Sequence, residues 1–136
     1  MRITVVEVFT EPVLSIVFDC NAGRGKAVLR SRLGDPPPAV GSMTDVELDL
    51  ELDFDRQTEE RWTIESQTPT IRFDGELNTF VAFVDGVDDD DVTFLRLSRD
   101  ALFMVETRGG LTAGTTIQFA VPWNALQLTP IGAFGT

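Results

Sequence analysis

With 136 residues, 43% of them hydrophobic and ten of them Phe, the chain is long enough for one domain with a substantial core and needs no disulfide or metal to hold it. Its 22 acidic residues against 11 basic ones give a net charge of −11, which repels nucleic-acid phosphates and anionic lipid over a Debye length and disfavours direct binding to either. One Cys and no His exclude the usual soft-metal ligand sets and the ordinary Ser or Cys triads.

Period-two alternation recurs along the chain, and no dozen-residue segment carries an apolar stripe at helical spacing, so an all-β fold is predicted. The first strand is predicted at 3–9, ended by Thr10-Glu11-Pro12. The second, 13–20, puts Leu14, Ile16, Phe18 and Cys20 on one inward face, which makes Cys20 a buried structural thiol. Residues 21–25 read as a turn, with Gly23 and Gly25 as turn glycines. A third strand, 24–33, carries Arg24, Lys26, Arg30 and Arg32 on its even positions. The Gly34-Asp35-Pro36-Pro37-Pro38 loop stops it, because proline cannot donate to a ladder.

Residues 45–55 are the most regular segment: Val46, Leu48, Leu50, Leu52 and Phe54 alternate with Asp45, Glu47, Asp49, Glu51, Asp53 and Asp55. A slip of one residue would bury several carboxylates, so a single strand of fixed register is predicted there. Trp62 and Ile64 mark the next strand, 66–69 a turn, and 70–73 a short extended piece. Asp74-Gly75 is a tight turn into 76–84, which is apolar on both faces and is therefore expected to be central and covered twice. An acidic loop is predicted at 85–91, strands at 92–97 and 101–106 around a turn at 98–100, and a connection framed by Arg108-Gly109-Gly110 and Ala113-Gly114. The strand 116–121 points Ile117, Phe119 and Val121 inward and ends at Pro122, with a single helical turn at 124–128.

Roughly nine or ten short strands with turn-punctuated spacing define one β domain over 1–136, either an antiparallel barrel or a two-sheet sandwich. The closing pattern, Gly114 to Pro122 with Leu126 and Leu128 behind it, resembles the last strand of small OB-like barrels such as the transport-associated TOBE modules. The resemblance covers less than a fifth of the chain; it implies a barrel that is OB-like in part and transfers no function.

Six like charges at strand spacing repel one another unless counter-charges lie nearby. Two arrangements are open. Arg24, Lys26, Arg30 and Arg32 can pair with the acidic strand as a cross-strand charge ladder; or the surplus carboxylates can join Glu59, Glu60 and the Asp88, Asp89, Asp90 and Asp91 loop in a patch suited to a basic partner. Asp85 to Asp91 does not fit an EF-hand, since Gly86 falls too early and the twelfth position is Arg96, so no metal site is expected. Paired carboxylates are the only general acid-base option, and on solvated faces they lack the raised pKa that catalysis needs, so neither an enzyme nor a cofactor is expected. Trp62 and Trp123 can be core residues or interface anchors.

No apolar stretch approaches the roughly 20 residues of a membrane span, and Glu7 comes early for a signal peptide, so a cytoplasmic protein is expected. The preferred reading is a non-catalytic module whose Asp45, Glu47, Asp49, Glu51, Asp53, Asp55 and Asp88 to Asp91 bind a basic protein partner, with Trp62 or Trp123 as anchors, in the manner of an immunity or inhibitor protein of a nucleic-acid-acting target. The alternative is a subunit of a homo-oligomer or virion-like particle; a small-ligand barrel is a third class.

Overall fold

A computed structural model describes residues 1–31, 34–108 and 111–135, with the backbone alone at 56–57 and 59–61. The alternation resolves into strands β1 (Arg2–Phe9), β2 (Ser15–Cys20), β3 (Gly23–Leu29), β4 (Met43–Leu50), β5 (Glu59–Ile64), β6 (Thr70–Phe73), β7 (Leu77–Val87), β8 (Val92–Ser98), β9 (Ala101–Glu106), β10 (Thr116–Pro122) and β11 (Leu126–Pro130). One helical turn, α1 (Phe54–Gln57), follows β4, and a 3-10 turn, Trp123–Ala125, links β10 to β11.

Five strands close into a barrel. β1 pairs antiparallel with β2 and β4, β2 with β3, and β11 with β4, while a short parallel contact between β11 and β3 (Gln127 opposite Val28, Leu128 opposite Leu29) completes the ring. The order β1-β2-β3-β11-β4 with one parallel closure is an OB-like Greek-key arrangement. Closure leaves these strands no long free edge, and their alternate residues Ile3, Val5, Ile16, Phe18, Ala27, Leu29, Val46, Leu48, Leu126 and Leu128 fill the interior.

The remaining strands are inserted between β4 and β11. β7 is the organiser: β10 runs along one edge, and the other edge is shared by β6 over its first half and β8 over its second. The handover falls between Val81 and Phe83, and a register shift between Val84 and Gly86 follows within the β7–β8 pairing, as a bulge bends a strand. Phe80 stacks on Phe119 at 5.1 Å, Phe54 meets Phe119 edge-on at 5.1 Å, and Phe103 closes the cluster at 5.8 Å from Phe80.

The seam between insert and barrel runs along β3. Its outer edge is taken by β6 at Gly23 and Arg24 and by β11 at Val28 and Leu29. Between them the fully buried Asn78 stands in for a strand: its Oδ1 accepts from the Lys26 N–H at 3.0 Å and its Nδ2 donates to the Lys26 carbonyl at 2.7 Å. Two glycines make the seam possible. A Cβ on Gly23 would lie 2.2 Å from the Ile71 carbonyl oxygen, and one on Gly25 would lie 2.7 Å from the Phe18 ring and 2.6 Å from Ile71 Cδ1.

Several local expectations change. The alternating segment stops being a strand at Leu50, and Phe54 reaches the core from α1 because the chain turns toward the insert to meet Phe119. Gly23 and Gly25 are strand residues that admit close neighbours, the hairpin turn being Asn21-Ala22 alone. β3 ends at Leu29; the expected continuation fails at Arg30 and Ser31, which are not strand, and its last residues, Arg32 and Leu33, like Gly109-Gly110, lie outside the described residues. Residues 85–87 extend β7 instead of looping, and 126–130 form the barrel-closing strand instead of a helical turn, because Leu126 and Leu128 are needed on one inward face.

Candidate functional site: an acidic strand face and an acidic hairpin

Because Val46 and Leu48 are drawn into the barrel, the pleat forces Asp45, Glu47 and Asp49 outward on β4; Glu51, just beyond it, is also exposed. The expected neighbour of this face was β3, but β11 lies between them. β11 is nearly uncharged, placing Gln127 opposite Asp49 and Thr129 opposite Glu47. Among the described residues, cations reach the stripe at its two ends. Arg2 Nε lies 3.4 Å from Asp45 Oδ1, and Arg30 Nη2 lies 2.8 Å from Glu51 Oε1 while Arg30 Nε donates to Gln127. Among the described residues Glu47 and Asp49, in the middle, have no ion-pair partner.

The other members of the predicted ladder are engaged elsewhere. Arg24 forms a two-pronged pair with Asp19, at 2.7 and 3.0 Å, and this hydrogen bond holds the Asp19 carboxyl below its ordinary range. Lys26 Nζ sits between two aromatic rings, 4.2 Å from the Phe9 centroid and 4.1 Å from that of Trp123. Arg32 lies outside the described residues, as do the side chains of Glu59 and Glu60. The full ladder therefore does not form, and of the three described cations Arg30 alone serves the acidic strand.

Asp53 and Asp55 leave the stripe with α1. Asp53 precedes the helix, and the Asp55 carboxylate accepts from Thr107 Oγ1 at 2.5 Å and from the Arg108 N–H at 2.9 Å. The Thr107 N–H in turn donates to the Asp91 carbonyl at 2.9 Å. Residue 107 thereby ties the end of the acidic segment to the tip of the β7–β8 hairpin, uniting two acidic stretches far apart in sequence. In the hairpin Asp88 folds the turn, its Oδ1 accepting from the N–H groups of Asp90 at 2.8 Å and Val92 at 3.1 Å. Asp91 adopts φ +60, a left-handed conformation that Asp tolerates better than most residues. Asp88 to Asp91 are all exposed, and among the described residues no group of three or more His, Cys, Asp or Glu is arranged to hold a metal ion.

The two Trp residues lie on other elements, β5 and the 3-10 turn. Trp62 is 44% exposed on the edge strand β5, opposite Gln118, and Trp123 is half-buried in the 3-10 turn against Lys26, so neither is a core residue. Cys20 is half-buried at the end of β2, and burial pushes its thiol pKa up, which suits a structural more than a reactive cysteine. Asp74, Asp85 and Asp100 are all held low, by backbone N–H groups of Leu77 and Glu76, by Arg96 and by Ser98 respectively.

Missed by sequence reasoning is the groove that opens between the ends of β4 and β9. It has a volume of about 280 Å³ and is lined by Leu50, Leu52, Phe54, Val92, Met104, Val105 and Glu106. The available signal was the strand 101–106, which carries Leu102 and Met104 on the face opposite its buried Ala101, Phe103 and Val105. No helix among the described residues is long and apolar enough to cross a membrane. No protein-family model, curated protein or solved structure matches the chain.

Proposed function

We propose that the protein is a non-catalytic binding module whose acidic surface engages a basic protein partner, as an immunity or inhibitor protein engages a nucleic-acid-acting target. The observation that carries this reading is the centre of the β4 face, which has no ion-pair partner among the described residues. Glu47 and Asp49 lie exposed between two end-capping arginines, on a barrel that could have placed cations on β11 and instead presents Gln127 and Thr129. The hairpin carboxylates joined through Thr107 extend the same sign of charge. Clustered charge of one sign accelerates encounter with a complementary surface and rejects partners of like charge. Cytoplasmic residence belongs to the same proposal.

The test is binding of the partner to wild type and to a Glu47→Gln, Asp49→Asn double variant over a range of salt. The reading requires a weaker, less salt-sensitive complex for the variant; equal affinity at all salt concentrations removes this surface from the interface. A homo-oligomer subunit is the alternative, favoured by the edge strands β5 and β9 and by the exposed Leu102 and Met104. Light scattering decides between them: a monomer supports the partner-binding module, and a ring or larger particle the assembly subunit.

A further inference from the structure

We propose that the groove between β4 and β9 receives an apolar side chain of the basic partner, from a segment in which that residue is flanked by arginine or lysine. This rests on the partner-binding reading and adds where the complex is anchored and by what.

The groove follows from strand lengths. β1 covers the edge of β4 only as far as Val46, whose N–H donates to the Met1 carbonyl at 2.8 Å. Beyond that point β9 takes over the flank, but among the described residues it pairs only with β8, so no ladder zips it to β4. Two ties fix its ends: the Met1 ammonium lies 3.8 Å from the Asp100 carboxylate just before β9, and Asp55 accepts from Thr107 just after it. Between these ties Leu50 and Leu52 stay half-buried and Met104 is 62% exposed.

Charge identifies the occupant. Leu50 and Leu52 alternate with Asp49, Glu51 and Asp53; Val92 directly follows Asp88 to Asp91 and faces Glu106 across the β8–β9 ladder; Glu106 itself lines the groove. Arg108, also exposed, follows at the end beyond Thr107. An apolar slot with the Glu106 carboxylate in its wall and exposed acidic residues in the segments that flank it, Glu51, Asp53 and Asp88 to Asp91, fits an aliphatic or aromatic residue carried between cations, whereas a second copy of this chain would bring a net charge of −11 against the same face. The volume suits one or two side chains and falls below the range of drug-sized ligand pockets. Buried apolar anchors inside a charged rim are the usual division of labour at interfaces, charge setting the rate of encounter and the anchor the lifetime.

The experiment uses the full chain with its Met methyl groups labelled with carbon-13, and two synthetic peptides: two leucines flanked on each side by arginines, and the same peptide with serines for leucines. The leucine peptide is expected to bind about tenfold more tightly or better, the discrimination that burial of one large apolar side chain supplies, to shift the Met104 methyl resonance, and to lose that advantage in Met104→Ser. Exposure of Met104 makes this variant safe for folding. Equal affinities with an unmoved Met104 resonance overturn the groove assignment and leave the acidic face intact. Failure of both peptides to bind at low salt counts against both. A dimer that buries Met104 also overturns the assignment, in favour of a second copy.

Discussion

Asn78→Ala tests the seam that joins the insert to the barrel. The side chain is fully buried and makes two bonds to one backbone unit, 3.0 Å from the Lys26 N–H and 2.7 Å to the Lys26 carbonyl. Neither neighbouring strand can replace it, since β6 covers Gly23 and Arg24 and β11 covers only Val28 and Leu29. A buried polar group left without a partner costs about 1–3 kcal/mol. With two groups orphaned in a partly buried site that water can partly reach, a loss of about 2–4 kcal/mol is expected, a large share of the roughly 5–15 kcal/mol that holds a typical domain. In urea titrations with an unchanged slope, the midpoint should fall by about 1–2 M. Hydrogen exchange followed by NMR gives the local counterpart: the Lys26 amide should lose protection beyond the global change. A loss below about 0.5 kcal/mol with Lys26 still protected would refute the role given to Asn78, because both groups would then have another partner.

Gly25→Ala should destabilise by about 1–3 kcal/mol in the same titration, since the added methyl meets a Phe18 ring with no room to move. Neutralising Glu47 and Asp49 together should raise the thermal midpoint by about 1–2 °C in dilute buffer by relieving repulsion along β4, an effect that salt should erase; a lower midpoint would mean that these carboxylates have partners. Cys20 should react slowly with iodoacetamide at neutral pH and rapidly once urea unfolds the chain, because burial raises its pKa and depletes thiolate. The Asp19 pKa is depressed in the folded state, chiefly by its hydrogen bond to Arg24, so its stabilising contribution is complete above the unfolded value of about 3.9 and is lost as pH falls through and below it. Unfolding midpoints should reflect this as a small drop below about pH 4, reduced in Asp19→Asn.

What the sequence made legible was local and period-two. The acidic alternation showed which residues of β4 face outward, since any other register would bury carboxylates, and β9 fell within its predicted limits because Arg99-Asp100 precedes it and Arg108-Gly109-Gly110 follows it. The alternation misled at Phe54, where an apolar residue continued the pattern after the chain had already left the strand for the Phe119 cluster. β11 was hidden because five residues carry too few alternations to separate a strand from a helical turn, and what makes it a strand is pairing with residues far back in the chain. The failed charge ladder has the same origin: Arg30 finds Glu51, but β11 separates the two strands, and no local pattern announces an interposed partner. Residue 107 gave no signal at all, since its value lies in meeting Asp55 and Asp91 at once.

The most direct test of the acidic face is a parallel pull-down from lysate of the source organism with wild type and the Glu47→Gln, Asp49→Asn variant, eluted with stepped salt and identified by mass spectrometry. The expected result is one basic protein held by wild type, released at moderate salt, and eluting earlier or absent with the variant. A partner retained equally by both proteins into high salt would contradict the assignment of binding to this surface.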